Sequence, residues 1–475
     1  MGNTLYWHDY ETFGAKPSQD RPVQFAGIRT DENLNIVGEP LMIYCQPPQD
    51  RLPHPIACKI TGITPQMAAE KGLSEIEFIQ RIEKELALSG TCGVGYNSIR
   101  FDDEVTRHAL YRNFFDPYAR EWQNGNSRWD IIDMVRLCYA LKPETLVWPE
   151  VDGKVSMKLD QLAPANGIGH ADAHDALADV RATIELAKKI KTVQPRLYDY
   201  CYGLRFKRKV AELIDLKNCR PMLHISGMFG RDKGFAALTA PIAKHPENPN
   251  GMVLFDLTSD PQLLFDLPAE EIARRLYTPA AELSENEPRV PLKTVHLNRS
   301  PVLLPAKMLD QTAAERLNID RQLCQQHWQK LTELLAGNQQ ALWDKLKIVF
   351  SHKSDKQLDP EQQLYSGGFF NTMDKRLIDQ VHRLSPESLR DTPPGFQDAR
   401  LPEMLFRYRA RNWPETLTEE EQLRWQAWCR GQLLEGDFSM QDFQAALNEL
   451  EAGDPLQQPL AEWAQQLSHN AGLSS

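Results

Sequence analysis

Asp9 and Glu11 stand two residues apart in HDYETFG (8–14), at the end of the first apolar run of the chain. A strand repeats every two residues, so both carboxylates project from one face while His8 and Tyr10 point from the other. Carboxylates that close repel each other unless a cation lies between them or water screens them. Alone, an Asp-x-Glu pair reads first as a strand end turning into the loop at Gly14, because so short a motif recurs by chance. Two further acidic stretches add to it. GYNSIRFDDE (95–104) sets Asp102 at the start of a helix that follows a strand, where an acid also serves the helix dipole without any chemistry. HADAHDALADV (170–180) offers His174 and Asp179, which a regular helix would separate by about 140°. His174 therefore belongs at or before the helix start, where a capping histidine would also sit. Asp179, flanked by Ala178, Val180 and Ala182, fits burial against a sheet better than exposure. Hard carboxylate oxygens gathered from these places suit a divalent cation such as Mg²⁺.

The elements that must position these residues alternate between strand and helix over 1–194. TLYWHDYE reads as a strand, and PVQFAGIRTDENLNIVGEPLMIYCQP as two strands joined at Asp31-Glu32-Asn33. TPQMAAEKG has Thr64 as cap, Pro65 at the first helical position and Gly72 as stop; Ser74 caps the amphipathic LSEIEFIQRIEKELAL. TCGVGYN is a small strand, followed by helices expected over 101–113 and 128–141. A long helix over 174–193 follows, with Leu177, Val180, Ile184 and Ala187 on one face. An antiparallel start followed by helix-linked strands predicts an α/β sheet. From 195 to 350 the pattern changes. Short β runs between Pro/Gly/Asn turns over 221–305 suit a small antiparallel barrel, interrupted by the helical AEEIARRLY and followed by helix over 306–350. SHKSDKQLDPEQQ (351–363) reads as a linker, and 364–475 as an all-helical C-terminal domain.

At 475 residues the chain is too long for one core. No run of about 18 apolar residues occurs, which predicts no membrane span, and MGNTLYWHDYE lacks the basic-then-apolar pattern of a secretory signal. Eight scattered cysteines without a C-x-x-C pair argue against a zinc cluster or a disulfide framework and for reduced thiols in a cytoplasm. The net charge of −11 speaks against nucleic acid, but its distribution is uneven. Residues 188–233 hold twelve Lys/Arg against four Asp/Glu, and 415–463 hold two against eleven. A basic segment on an acidic protein reads either as a phosphate track or as a solvated helix face.

The conjunction of Asp-x-Glu on the first strand, NSIRFD, and H-x(4)-D at the start of a long helix resembles the DEDDh 3′–5′ exonuclease superfamily. Longer stretches (RPVQFAGIRTDENLNIVGEP, KITGITPQMA, GYNSIRFDDEVTRHALYRNFFDPY, NSRWDIIDM, HISGMFG, HPENPNG, FRYRARNWPETL) look like the bacterial exonuclease I family over nearly the whole chain, in order. The resemblance implies a ribonuclease-H-like DEDDh exonuclease core, then an SH3-like β-barrel and a helical C-terminal domain, together forming a C-shaped groove for one strand. It implies an exodeoxyribonuclease that releases 5′-mononucleotides processively from single-stranded DNA, serves DNA repair and recombination, and works as a monomer. The acidic tail of single-stranded-DNA-binding protein is its implied partner. Phosphodiester hydrolysis needs an activated water, a neutralised phosphate and a stabilised leaving oxygen, which two divalent ions roughly 3.5–4 Å apart supply. Carried over, Asp9, Glu11 and Asp179 hold a first Mg²⁺ (Mn²⁺ as substitute), Asp9 bridges to a second, Asp102 acts largely through water, and His174 is the general base.

Tyr10, Thr12 and Phe13 follow the metal strand and, with Glu11, are expected at the terminal nucleotide. Arg205, Lys207, Arg208 and Lys209 are the expected phosphate contacts, with Tyr198, Tyr202 and Phe206 either stacking surfaces or interdomain core. Arg407, Arg409 and Arg411 read as a basic face or as ordinary ion-paired helix surface. An exoribonuclease or a polymerase proofreading subunit on the same core is the near alternative, since the five catalytic positions do not read the sugar. A silent strand-binding scaffold would be expected to have lost one of the five, and all are present.

Overall fold

The structure, a computed structural model, describes residues 2–169, 175–284, 287–351 and 358–473. The chain divides into two compact units, Met1–Ser127 with His170–Ile184 and Gln357–Ser475, and Arg128–Gly169 with Glu185–Lys356. His174 lies outside the described residues.

β1 (Thr4–Thr12), β2 (Pro22–Thr30) and β3 (Leu41–Tyr44) make the antiparallel start, with Glu11 opposite Gln24 and Gln24 opposite Tyr44. Leu5, Trp7, Val23, Phe25 and Ile28 are fully buried, which accounts for the near-continuous apolar runs of the two inner strands. The helix α1 (Pro55–Thr61), which local sequence signals did not mark, precedes α2 (Pro65–Lys71), whose Thr64 cap accepts from the Met67 amide. In α3 (Glu75–Leu86) Ser74 and Glu77 form a reciprocal capping box. β4 (Thr91–Gly95) runs parallel to β1, and α4 (Asp102–Arg112) follows it.

β5 (Ser127–Asp130) completes the sheet order β3-β2-β1-β4-β5 and carries the chain out of the first unit. The helix expected from 128 therefore starts late, as α5 (Ile132–Leu141). Trp129 is buried in the strand, and the Asp130 carboxylate accepts the Ile132 amide at 3.0 Å, turning the chain into the helix. The hairpin β6 (Glu150–Val151) and β7 (Lys154–Val155) leads to α6 (Leu159–Ala165), and α7 (Ala176–Val193) supplies the long helix.

Beyond α7, the second unit contains α8 (Pro195–Gly203), α9 (Lys207–Leu213), β8 (Met222–Ile225), β9 (Ala236–Lys244), β10 (Gly251–Asp256), α10 (Gln262–Asp266), α11 (Ala269–Tyr277), β11 (Leu292–His296), β12 (Val302–Pro305), α12 (Gln311–Arg316) and α13 (Arg321–Phe350). The strands β8 to β12 form one antiparallel sheet in the order β11-β10-β9-β8-β12, and α10 and α11 interrupt it where the helical insertion was expected.

The C-terminal helices are α14 (Thr372–Val381), α15 (Pro386–Asp391), α16 (Arg400–Asn412), α17 (Glu419–Glu435), α18 (Met440–Asn448) and α19 (Gln457–Asn470). They share their core with the N-terminal sheet. Tyr10, Phe25 and Phe78 belong to one apolar cluster with Met404, Leu405 and Tyr408, and Phe13 and Val23 to another with Leu433 and Trp463. The linker expected at 351–363 is in its second half an anchor, although 352–357 lie outside the described residues. Glu361 is buried against Arg411 and Arg21, and Asp359 accepts from Arg407 at 2.7 and 2.8 Å. The basic face expected of α16 is thus an interior one. Arg407 and Arg409 are buried and Arg411 has its side chain largely enclosed; they pair with Asp359, Glu421 and Glu361 respectively. All eight cysteines are free and buried, and among the described residues no helix is long and apolar enough to cross a membrane.

Candidate active site

The sheet brings three of the predicted acids together. Asp9, Glu11 and Asp179 each offer a carboxylate oxygen, and these oxygens lie within 4.8 Å of one another. The first two come from one face of β1, as the two-residue repeat requires. Asp179 comes from the first turn of α7, where its amide donates to the Asp175 carbonyl at 3.1 Å. Asp102 opens α4 and accepts the Tyr10 amide at 3.1 Å, so the fourth acid is tied to β1 between Asp9 and Glu11.

Electrostatics set this cluster apart from a solvated strand end. Burial raises the Asp9 pKa well above its ordinary value, and Asp102, Glu11 and Asp179 raise it further. Burial likewise pushes Glu11 up to about 8, reinforced by the carboxylates of Asp179, Asp102 and Asp175. Groups held in this way bind a proton or another cation in preference to standing ionised side by side. Three oxygen donors without sulfur suit a hard divalent ion, so the residues present fit the metal their pattern implied.

The expected nucleotide contacts divide. Glu11 lies in the cluster, but the side chains of Tyr10, Thr12 and Phe13 turn into the protein. The Tyr10 ring packs edge-on against Phe25 at 4.8 Å, its hydroxyl accepts from Thr106 at 3.0 Å, and only its backbone amide serves the site, through Asp102. Thr12 is buried and donates to the Gly14 carbonyl at 2.6 Å. Phe13 is buried in the cluster it shares with the C-terminal helices. The two-residue alternation already turns Tyr10 and Thr12 to the face opposite Asp9 and Glu11, and the register shift between Glu11 and Thr12 keeps Phe13 from continuing the acidic face.

In the second unit, Lys207, Arg208 and Lys209 form an exposed basic turn at the start of α9, with Arg208 and Lys209 lying 3.4 and 3.8 Å from Glu212. Arg205 lies flat over the rings of Tyr202 and Phe206, at 3.4 and 4.1 Å from their centroids. Phe206 is exposed, whereas Tyr198 is buried edge-on against Trp129. Tyr198 is therefore core rather than a stacking surface.

Sequence reasoning missed Gln24 and Asp175. Gln24 is buried on β2 and donates to Asp175 at 3.0 Å. The available signal was a lone amide in the otherwise apolar PVQFAGI.

Comparison with known proteins decides the family. The Exonuclease family model matches residues 6–187, the Exonuclease I SH3-like domain 205–352 and the Exonuclease I C-terminal domain 358–468. Exodeoxyribonuclease I of Escherichia coli is 46% identical over 428 residues, covering 89% of this chain and 88% of that protein. The chain belongs to the exonuclease I family. Membership makes it an exodeoxyribonuclease with a ribonuclease-H-like core, an SH3-like domain and a helical C-terminus. The zinc-bound complex of E. coli exonuclease I with single-stranded DNA superposes with a TM-score of 0.93 at 43% identity, covering 99% of this chain and all of that one. A structure of SSB/exonuclease I with an inhibitor is similar at a TM-score of 0.89 and 43% identity, covering 98% and 100% of the two chains. The three acids that converge here fall within the stretch matched by the Exonuclease model of this exonuclease I family member.

Proposed function

We propose that this exodeoxyribonuclease removes nucleotides stepwise from the 3′ end of single-stranded DNA, with Asp9, Glu11 and Asp179 as the ligands of a catalytic Mg²⁺. The observation that carries the reading is the convergence of these three carboxylates, two with strongly raised proton affinity, at the C-terminal end of the central strand β1. When bound, a pair of Mg²⁺ ions, or Mn²⁺ in their place, supplies charge neutralisation at the phosphate and the leaving oxygen. Asp102, fixed by the Tyr10 amide, would support a second ion through water. His174 would take a proton from the attacking water as the water oxygen bonds to phosphorus, the bond from phosphorus to the 3′-oxygen breaks, that oxygen takes up a proton from solvent as the shortened strand's new 3′-hydroxyl, and a 5′-mononucleotide departs.

Lys207, Arg208 and Lys209 provide phosphate contacts outside the catalytic cluster, and Arg205 with Phe206 a stacking surface. Similar proteins solved with single-stranded DNA and as SSB/exonuclease I support single-stranded DNA and single-stranded-DNA-binding protein as partners, and DNA repair is the setting this reading carries. Eight free thiols fit a reducing cytoplasm, where the protein would act as a monomer.

The test uses one 5′-labelled strand as single-stranded DNA, duplex DNA and RNA, each with Mg²⁺ or EDTA, and Asp179→Ala as the control for contamination. A ladder shrinking from the 3′ end on single-stranded DNA, abolished by EDTA and by the variant, is the expected result. Preferential trimming of RNA, or full activity in the variant, would overturn the reading.

A further inference from the structure

Gln24 is 1% exposed, in the middle of β2, and both the nitrogen and the oxygen of its amide are engaged. Its nitrogen donates to the Asp175 carboxylate and to the Tyr44 hydroxyl, both at 3.0 Å, and its oxygen accepts the Ala176 amide at 3.1 Å. Ala176 opens α7, and its amide is one of the first-turn donors that a helix cannot satisfy internally. A side chain from a different element therefore caps the helix that carries Asp179. Across the sheet Gln24 stands opposite Glu11 on one side and Tyr44 on the other, so Glu11, Gln24 and Tyr44 form one row over three strands.

We infer that Gln24 is a positioning residue, a buried amide that locks the strand bearing Glu11 to the first turn of the helix bearing Asp179. The linkage is continuous. Gln24 holds the Asp175 carboxylate, and the Asp175 carbonyl accepts the amides of Ala178 and Asp179 at 2.9 and 3.1 Å. A shift of Asp175 is passed through that turn to Asp179. The amide is needed for its chemistry as well as its size. A carboxylate at position 24 would face that of Asp175 with no proton to donate, and a thioether would leave a buried helix amide and Asp175 without this partner. A neutral donor also fixes Asp175, one of the carboxylates acting on Glu11, without bringing in a cation that would compete with a metal for the same charge. Groups that orient metal ligands in this way are worth about 10–100-fold in metal affinity or activity.

The inference rests on the proposed roles of Glu11 and Asp179, and its test separates the two. Gln24→Met and Gln24→Glu are compared with the parent protein and with Asp179→Asn. The readouts are Mn²⁺ affinity by titration calorimetry, kcat and KM on single-stranded DNA, strand affinity in EDTA, and thermal unfolding. Both Gln24 variants are expected to bind Mn²⁺ and turn over about 10–100-fold less well, with strand affinity within about twofold of the parent and a folded transition retained. Mn²⁺ affinity and kcat within about twofold of the parent, whatever the change in Tm, would overturn the role of Gln24 if Asp179→Asn is inactive. Undiminished Mn²⁺ affinity and turnover in Asp179→Asn would instead overturn the site assignment on which the inference stands.

Discussion

Replacing Glu11 with Gln tests whether the acidic cluster is built around a cation, because the metal-free protein should then be more stable without the carboxylate. Burial and the carboxylates of Asp179, Asp102 and Asp175 raise the Glu11 pKa from 4.5 to about 8. In the unfolded chain the same group titrates near its ordinary value. Between those two values the folded protein keeps a proton that the unfolded chain has released. The contribution of this group to stability is therefore fully present below pH 4.5, falls as pH rises, and is lost through about pH 8. At about pH 7.5, three pH units above 4.5, the penalty reaches ~4 kcal/mol as an upper bound. Part of it is shared with Asp9 and Asp179, since a proton held by one relieves the others.

Glu11→Gln is isosteric and carries no such penalty. In EDTA at about pH 7.5 it should be more stable than the parent by ~1–3 kcal/mol, after allowing for imperfect partners for the new amide. The gap should narrow near pH 5.5, where the parent carboxylate is protonated at little cost. Added Mg²⁺ should reverse the order, because it stabilises the parent by binding the folded state and finds a ligand missing in the variant. Thermal unfolding by fluorescence across pH, with and without Mg²⁺, measures each of these. A variant less stable than the parent in EDTA at every pH, with the same slope against pH, would refute the electrostatic reading of the site.

Three further outcomes are expected. His174→Ala should lose on the order of 10²–10⁴ in kcat while keeping strand affinity, as for removal of a general base; lost binding with intact turnover would refute that role. Replacing Lys207, Arg208 and Lys209 together with Ala should weaken single-stranded DNA binding and flatten its salt dependence by up to about 0.7 in the log–log slope for each phosphate no longer neutralised, as read by fluorescence anisotropy between low and high salt. Glu361→Ala leaves Arg411 and Arg21 buried beside each other without this carboxylate, and should cost about 3–5 kcal/mol in denaturant unfolding. An unchanged midpoint would show the pairing to be dispensable.

The acids of the candidate site were legible because each is fixed by a short-range rule. The strand period puts Asp9 and Glu11 on one face, helix starts set Asp102 and Asp179 in first turns, and family resemblance joins the pieces. What a linear reading does not show lies where a local rule is overridden from elsewhere. Tyr10 and Thr12 face away from Glu11 by the strand's own alternation, while the register slips after Glu11 and the C-terminal helices, far along the chain, take up Phe13. Asp359 and Glu361 read as linker because polar residues beside Pro usually are. Their anchoring depends on Arg407, Arg411 and Arg21, and the reading of Arg407 and Arg411 as a surface depends on not knowing that partner.

Gln24 marks the limit most clearly. A lone amide in an apolar strand carries no motif, and its meaning needs three things absent from a linear reading: the pairing that sets it opposite Glu11, the helix whose first amide it accepts, and the carboxylate it holds there. The acids could be found by asking which residues bind a cation. The amide could be found only by asking where each buried donor and acceptor of those acids' supports goes. An active site read from sequence is therefore complete in its ligands before it is complete in what aims them, since ligands are constrained by chemistry and supports by the geometry of one particular fold.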